Sequence, residues 1–189
     1  DLGKDIAVIF QEPMTALNPV YTIGWQITEA IRAHSELSKA QAKDRVIELL
    51  RLVEMPEPEK RVKYYPHQLS GGQRQRAMIA QALASEPSVL IADEPTTALD
   101  VTVQAEILQL MRDLRGRVDA AILLITHDMG VVADMADRIL VMRGGDIVEQ
   151  GTSGDIFHRP DHAYTRELLA SVPHLGSRTG QAGTDDTPD

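Results

Sequence analysis

The sequence predicts an α/β fold: a parallel sheet built from strand–helix–strand units, with an all-helical insert between its first two strands. Short apolar runs at 5–10, 89–92 and 120–126 alternate with helical patterns, the mark of a parallel sheet. The stretch from Pro13 to Ala84 shows helical periodicity and no strand signal. Polar residues follow the apolar runs directly, at the strand ends where open α/β sheets place their ligands.

Taken in order, Asp5-Ile6-Ala7-Val8-Ile9-Phe10 suits a buried strand that Gln11-Glu12-Pro13 ends, and Asn18-Pro19 marks a turn. Ile23, Ile27, Ala30 and Ile31 are spaced for a helix over 23–34. Ser38 reads as the N-cap of the next helix, with Ala42, Val46, Leu49, Leu50 and Val53 on one face and Pro56 and Pro58 as the stop. A third helix runs from Leu69 to Ala84, ended by Pro87, and Val89–Ala92 is the second strand. Helix 101–114, strand 120–126, a short helix 130–135 and strand 139–142 follow. Gly144-Gly145 then makes a hairpin turn into strand 146–150. Residues 176–189 are rich in Gly, Thr and Asp and are expected to be disordered.

At 189 residues the chain suits one domain, or a core with a subdomain. A formal charge of −9 argues against a nucleic-acid binder, whose footprint would be a basic patch. With no cysteine the chain has no disulfide, thiolate metal site or cysteine nucleophile. No apolar stretch approaches the ~20 residues that cross a bilayer. The chain opens at Asp1 within a few residues of a strand, which leads us to expect a fragment.

The chemistry is densest at Leu69-Ser70-Gly71-Gly72-Gln73. A hydroxyl and two glycines at the start of a helix let the backbone approach a phosphate, and the helix N-terminus favours the anion. A Ser N-cap followed by glycines is also a purely structural device. Asp93 and Glu94 end the second strand. One carboxylate can hold Mg²⁺ while the next orients or deprotonates a water, and the alternative is a solvated pair opening the turn before Pro95. His127 follows the third strand, where it can meet a terminal phosphate or be merely capping or exposed. Gln11, at the end of the first strand, can ligate metal or water but says little by itself. Arg74 and Arg76 read as solvated or ion-paired helix residues.

The order of these sites resembles the nucleotide-binding subunit of ATP-binding cassette (ABC) transporters over roughly residues 5 to 173. Gln11 matches the Q-loop, Leu69–Gln73 the ABC signature, and Val89–Glu94 Walker B with its catalytic glutamate. Ala98-Leu99-Asp100 matches the D-loop and His127 the switch histidine. Phe10–Pro19, Tyr65-Pro66-His67-Gln68 and the run from Ile156 through His162-Ala163-Tyr164-Thr165 to Pro173 are similar to the oligopeptide/dipeptide permease ATPases. Many of those carry a cysteine cluster soon afterwards, which here is absent or cut off.

The resemblance implies a P-loop NTPase (RecA-like) core with an inserted helical signature subdomain. The implied division is a core strand at 1–12, the helical subdomain at 13–85, the RecA-like core at 86–160, a C-terminal helix at 161–175 and a tail at 176–189. It implies ATP and Mg²⁺ as cofactors, with Glu94 and His127 catalytic, Gln11 and Asp93 at the metal, and Ser70, Gly71, Gly72, Gln73 and Asp100 around nucleotide. It also implies a second ABC ATPase subunit, membrane permease subunits and, indirectly, a solute-binding protein as partners. The expected location is cytoplasmic, peripheral on the inner face of the cell membrane.

One part of the family pattern is missing. A P-loop reads Gly-x-x-x-x-Gly-Lys-Ser/Thr and opens a helix, whereas the only Gly-Lys here, Gly3-Lys4, leads into Asp5 and a strand. The expectation is a core that begins after its P-loop portion and is inactive alone. The competing expectations are a non-transport ABC ATPase and a non-enzymatic, P-loop-less interaction partner.

Overall fold

The computed structural model describes residues 5–10 and 16–171. They form two compact units that divide after Ile125. The expected tail at 176–189 and Gln11 lie outside the described residues.

In the first unit, β1 (Ile6–Ile9) is followed by helices α1 (Ile23–Ala33), α2 (Lys39–Leu52) and α3 (Pro58–Arg61). A 3-10 turn at Pro66–Gln68, helix α4 (Gly71–Leu83), strand β2 (Val89–Asp93), helix α5 (Val101–Arg117) and strand β3 (Ala121–Ile125) complete it. The strands form a parallel sheet in the order β1-β2-β3, with Ile6 opposite Val89 and Val89 opposite Ala121. Among the described residues, four helices lie between these two neighbouring strands and no strand does, in keeping with the helical periodicity of the sequence there.

Local chemistry accounts for these boundaries. Thr22 caps α1 by accepting from Trp25 N, and Ser38 and Gln41 close a reciprocal capping box at the start of α2, as predicted for Ser38. Pro58 does more than stop a helix. It occupies the first position of α3, where its missing N–H costs nothing and its φ suits the turn. The third predicted helix starts at Gly71 rather than Leu69, because Leu69 is extended and Ser70 is the cap. α5 runs to Arg117, beyond the predicted Leu114, through an exposed basic last turn that suits the helix dipole.

One core serves the sheet and the helices together. Ile9 and Leu90 belong to the same buried cluster as Ile27 of α1, Leu49 and Leu50 of α2, Ile79 of α4 and Ile107 and Leu110 of α5. Each such side chain contributes about 1.5–3 kcal/mol relative to exposure. The sheet's other face carries Ile6, Val8, Leu123 and Ile125, all exposed.

The second unit contains α6 (Met129–Met135), strands β4 (Arg138–Arg143) and β5 (Asp146–Thr152), and helices α7 (Ser153–His158) and α8 (Ala163–Ala170). β4 and β5 form an antiparallel hairpin. Gly144 and Gly145 turn it at φ 59° and 86°, the left-handed pair a two-residue hairpin loop requires. Glu149 of β5 accepts the N–H groups of Asp161 and His162, each at 2.9 Å, and so ties the start of α8 to the hairpin. The Arg143 guanidinium lies 4.9 Å from the Tyr164 ring centroid.

Candidate functional site

Strand β2 delivers the paired carboxylates. Asp93 is its last residue, opposite Ile125 and half-buried. Glu94 N donates to Ile125 O at 2.8 Å, and there the extended backbone breaks, with Glu94 at φ 45°. A left-handed non-glycine residue costs about 1–2 kcal/mol, and such outliers gather at functional sites. This break lets two adjacent carboxylates leave the strict alternation of a strand.

Beyond Glu94 the chain folds into a tight turn. Thr97 N donates to Glu94 O (3.3 Å) and Leu99 N to Thr96 O (3.1 Å). Asp100 closes the turn by accepting from Val103 N at 2.9 Å, capping α5. Glu94 and Asp100 are thus the two ends of one compact loop.

The signature segment opens α4. Ser70 Oγ accepts from Gln73 N (3.2 Å) while Gln73 Oε1 accepts from Ser70 N (3.3 Å), so the structural capping role is present. The amides of Gly71 and Gly72, first in the helix, lie outside its i→i−4 ladder and are where an anion would be received. The glycines also have a packing reason. A Cβ on Gly72 would stand 2.8 Å from Val103 Cγ1, and one on Gly71 would stand 3.4 Å from Leu99 Cδ2. The mouth of α4 therefore lies against the Asp100 turn and the first turn of α5. Arg74 donates to Leu69 O, and Arg76 donates to Val53 O and pairs with Glu54 and Glu106, so both arginines have helix-side roles.

The structure brings Gly71 and Gly72 against Leu99 and Val103, which flank Asp100, and one turn links Asp100 back to Asp93 and Glu94. His127 belongs to the second unit, where it is exposed and stands between Thr126, which accepts from Asp128 N, and Asp128, which caps α6. Among the described residues no three His, Cys, Asp or Glu side chains gather as a metal cage. Sequence reasoning passed over Val103, whose role is visible only once α4 and α5 pack together.

The family model described as "ABC transporter" matches residues 1–97. The chain belongs to the ABC transporter ATP-binding family. A second model, "Oligopeptide/dipeptide transporter, C-terminal region", matches residues 148–187 of this ABC protein. The chain is 59% identical over 175 residues to the oligopeptide transport ATP-binding protein OppD of Bacillus subtilis, covering 93% of this chain and 49% of that one. It is 56% identical to the dipeptide transport ATP-binding protein DppD of Haemophilus influenzae (92% and 53%). It is 57% identical to the glutathione import ATP-binding protein GsiA of Escherichia coli (94% and 29%). The chain thus spans about half the length, or less, of these curated relatives.

Among solved structures, the ABC fold matches cbiO1 from Clostridium perfringens, part of the ABC transporter complex cbiONQ. The TM-score is 0.74 at 28% identity, over 93% of this chain and 67% of that one. It also matches the dimeric post-hydrolysis state of the ATP-binding cassette MJ0796 bound to ADP and Pi. There the TM-score is 0.66 at 30% identity, over 79% and 64%. The fold is that of the P-loop NTPase cassettes.

Proposed function

We propose that this chain belongs to an ATP-hydrolysing subunit that energises import of peptides or similar small solutes through membrane permease subunits. The observation that carries the reading is the packing of the glycine-opened end of α4 on the turn joining Glu94 to Asp100. A phosphate-receiving helix end and a carboxylate pair are thereby held in one body. The names of the relatives support the transport class, and peptide is the first solute to test, with glutathione next.

In this reading Asp93, with Gln11, would hold Mg²⁺, which when bound offsets charge on the phosphate oxygens. Glu94 orients the attacking water and accepts its proton. Ser70, Gly71, Gly72 and Gln73 close over the γ-phosphate of ATP held by a second ABC subunit, and Asp100 works across that dimer. His127 and Gln11 are assigned as phosphate and metal contacts from motif order alone. Residues 13–85 are the helical subdomain that meets the permease, 86–160 the RecA-like core and 161–175 the C-terminal helix. A solute-binding protein delivers cargo outside, and the subunit works peripherally on the cytoplasmic face. No helix among the described residues is long and apolar enough to cross a membrane.

The test is Glu94→Gln in the complete subunit assembled with its permease. Hydrolysis should fall about 100-fold or more while ATP binding persists. Wild-type turnover in Glu94→Gln would remove Glu94 from the mechanism. The 189-residue chain, with no Gly-x-x-x-x-Gly-Lys-Ser/Thr, should hydrolyse no ATP alone, and tight Mg²⁺-dependent ATP binding by it would overturn that part.

A further inference from the structure

Two glutamines, far apart in the sequence, make the same pair of hydrogen bonds. Gln104 Nε2 donates to Thr96 O at 2.9 Å and to Leu99 O at 2.8 Å. Gln26 Nε2 donates to Asn18 O at 2.7 Å and to Tyr21 O at 3.0 Å. Each glutamine lies four residues past a helix N-cap, Asp100 for α5 and Thr22 for α1. Each reaches the carbonyls five and eight residues before it. In both places the side chain bolts the turn before a helix onto that helix's first full turn. Gln26 Oε1 also accepts from Asn18 N at 2.9 Å.

The turn that Gln104 holds is the one running from Glu94 to Asp100. Its own backbone bonds include Thr97 N to Glu94 O at 3.3 Å and Leu99 N to Thr96 O at 3.1 Å. It also begins with a left-handed Glu94, a conformation that persists only where surrounding structure enforces it. Val103, the neighbour of Gln104, packs on Gly72, and Leu99 packs on Gly71.

We propose that Gln104 is a positioning residue for hydrolysis: its amide locks the Glu94–Asp100 turn to α5, so that carboxylate, turn and signature glycines move as one piece. Gln26 is the equivalent clamp on the turn before α1. The functional half rests on the reading of Glu94 and Asp100 given above, and the clamp itself does not.

The experiment has two arms using Gln104→Leu and Gln104→Glu, which keep the side chain's size and remove its donors. In the 189-residue chain, amide hydrogen exchange should show Leu99 losing roughly tenfold in protection in both variants, with Leu110 and Met111 inside α5 unchanged. Unchanged protection at Leu99, wild-type behaviour of Gln104→Glu, or an equal loss along all of α5 would each overturn the clamp. In the complete ATPase assembled with its permease, kcat should fall roughly tenfold with KM for ATP unchanged. Loss of protection with kcat intact would reduce Gln104 to a structural residue and overturn the positioning role. If the wild-type complex hydrolyses no ATP, the functional reading fails while the exchange arm still decides the clamp.

Discussion

Gly24 and Gly116 should respond to alanine with opposite signs, although both are helical. Gly24 is buried in α1, and its N–H donates to Val62 O at 2.9 Å. A Cβ there would lie 2.7 Å from that carbonyl oxygen and 2.3 Å from Val62 Cγ2. The valine side chain is stiff and the oxygen is backbone, so the segments must part by about 0.7 Å at the oxygen and about 1.1 Å at Cγ2 to reach ordinary contact. That displacement carries the hydrogen bond past its useful length, at about 1 kcal/mol, and adds about 1–3 kcal/mol of overpacking strain. Alanine's better helix propensity returns about 1 kcal/mol. The net expectation for Gly24→Ala is a loss of about 1–3 kcal/mol. Gly116 is exposed near the end of α5, and a Cβ there meets nothing within 4 Å. Gly116→Ala should therefore gain up to about 1 kcal/mol. Urea denaturation of both variants against the parent is the assay, read from the midpoint at constant m. A neutral or stabilising Gly24→Ala would refute the close-approach argument, particularly if Gly116→Ala behaved as expected.

Two further expectations concern helix ends. Ser70→Ala removes the hydroxyl that receives Gln73 N and should cost about 1 kcal/mol, measurable by urea melting. No change would mean that the capping box of α4 contributes nothing. Glu149 is held below the usual carboxylate range by the N–H groups of Asp161 and His162 and by the Thr165 hydroxyl. The unfolded chain therefore takes up the proton first, so this contribution is complete above the ordinary value of 4.5 and drains away as pH falls through the lowered value. Protection of the His162 amide, which donates to Glu149, taken relative to the intrinsic exchange rate from about pH 6 to about pH 3, should fall on the acid side in the parent and fall less in Glu149→Gln. Parallel profiles would exclude Glu149 as the source.

Much of the fold was legible because each element carries its own signal. Ser38 is followed by Gln41 and an apolar stripe, and a capped helix is the local solution for any chain reading that way. Gly144-Gly145 between two apolar runs can hardly be other than a hairpin turn. The carboxylate pair after Val89–Ala92 placed itself at a strand end for the same reason. Pro58 reads locally as a stop, and α2 does end before it, but the same residue also opens α3, since a proline's missing N–H is equally dispensable there.

The chain's sequence alone determined its helices, strands and turns and the order of its phosphate-type motifs, because these depend on side-chain period, capping and glycine within a few residues. Only the tertiary structure decided that β1 lies beside β2 across a long helical stretch, and that the signature glycines are needed against Leu99 and Val103. It also put Glu94 in a left-handed turn and made Gln104 and Gln26 equivalent clamps. Those facts depend on distances between segments remote in sequence, or on strain the surrounding packing must hold, and no local pattern encodes either.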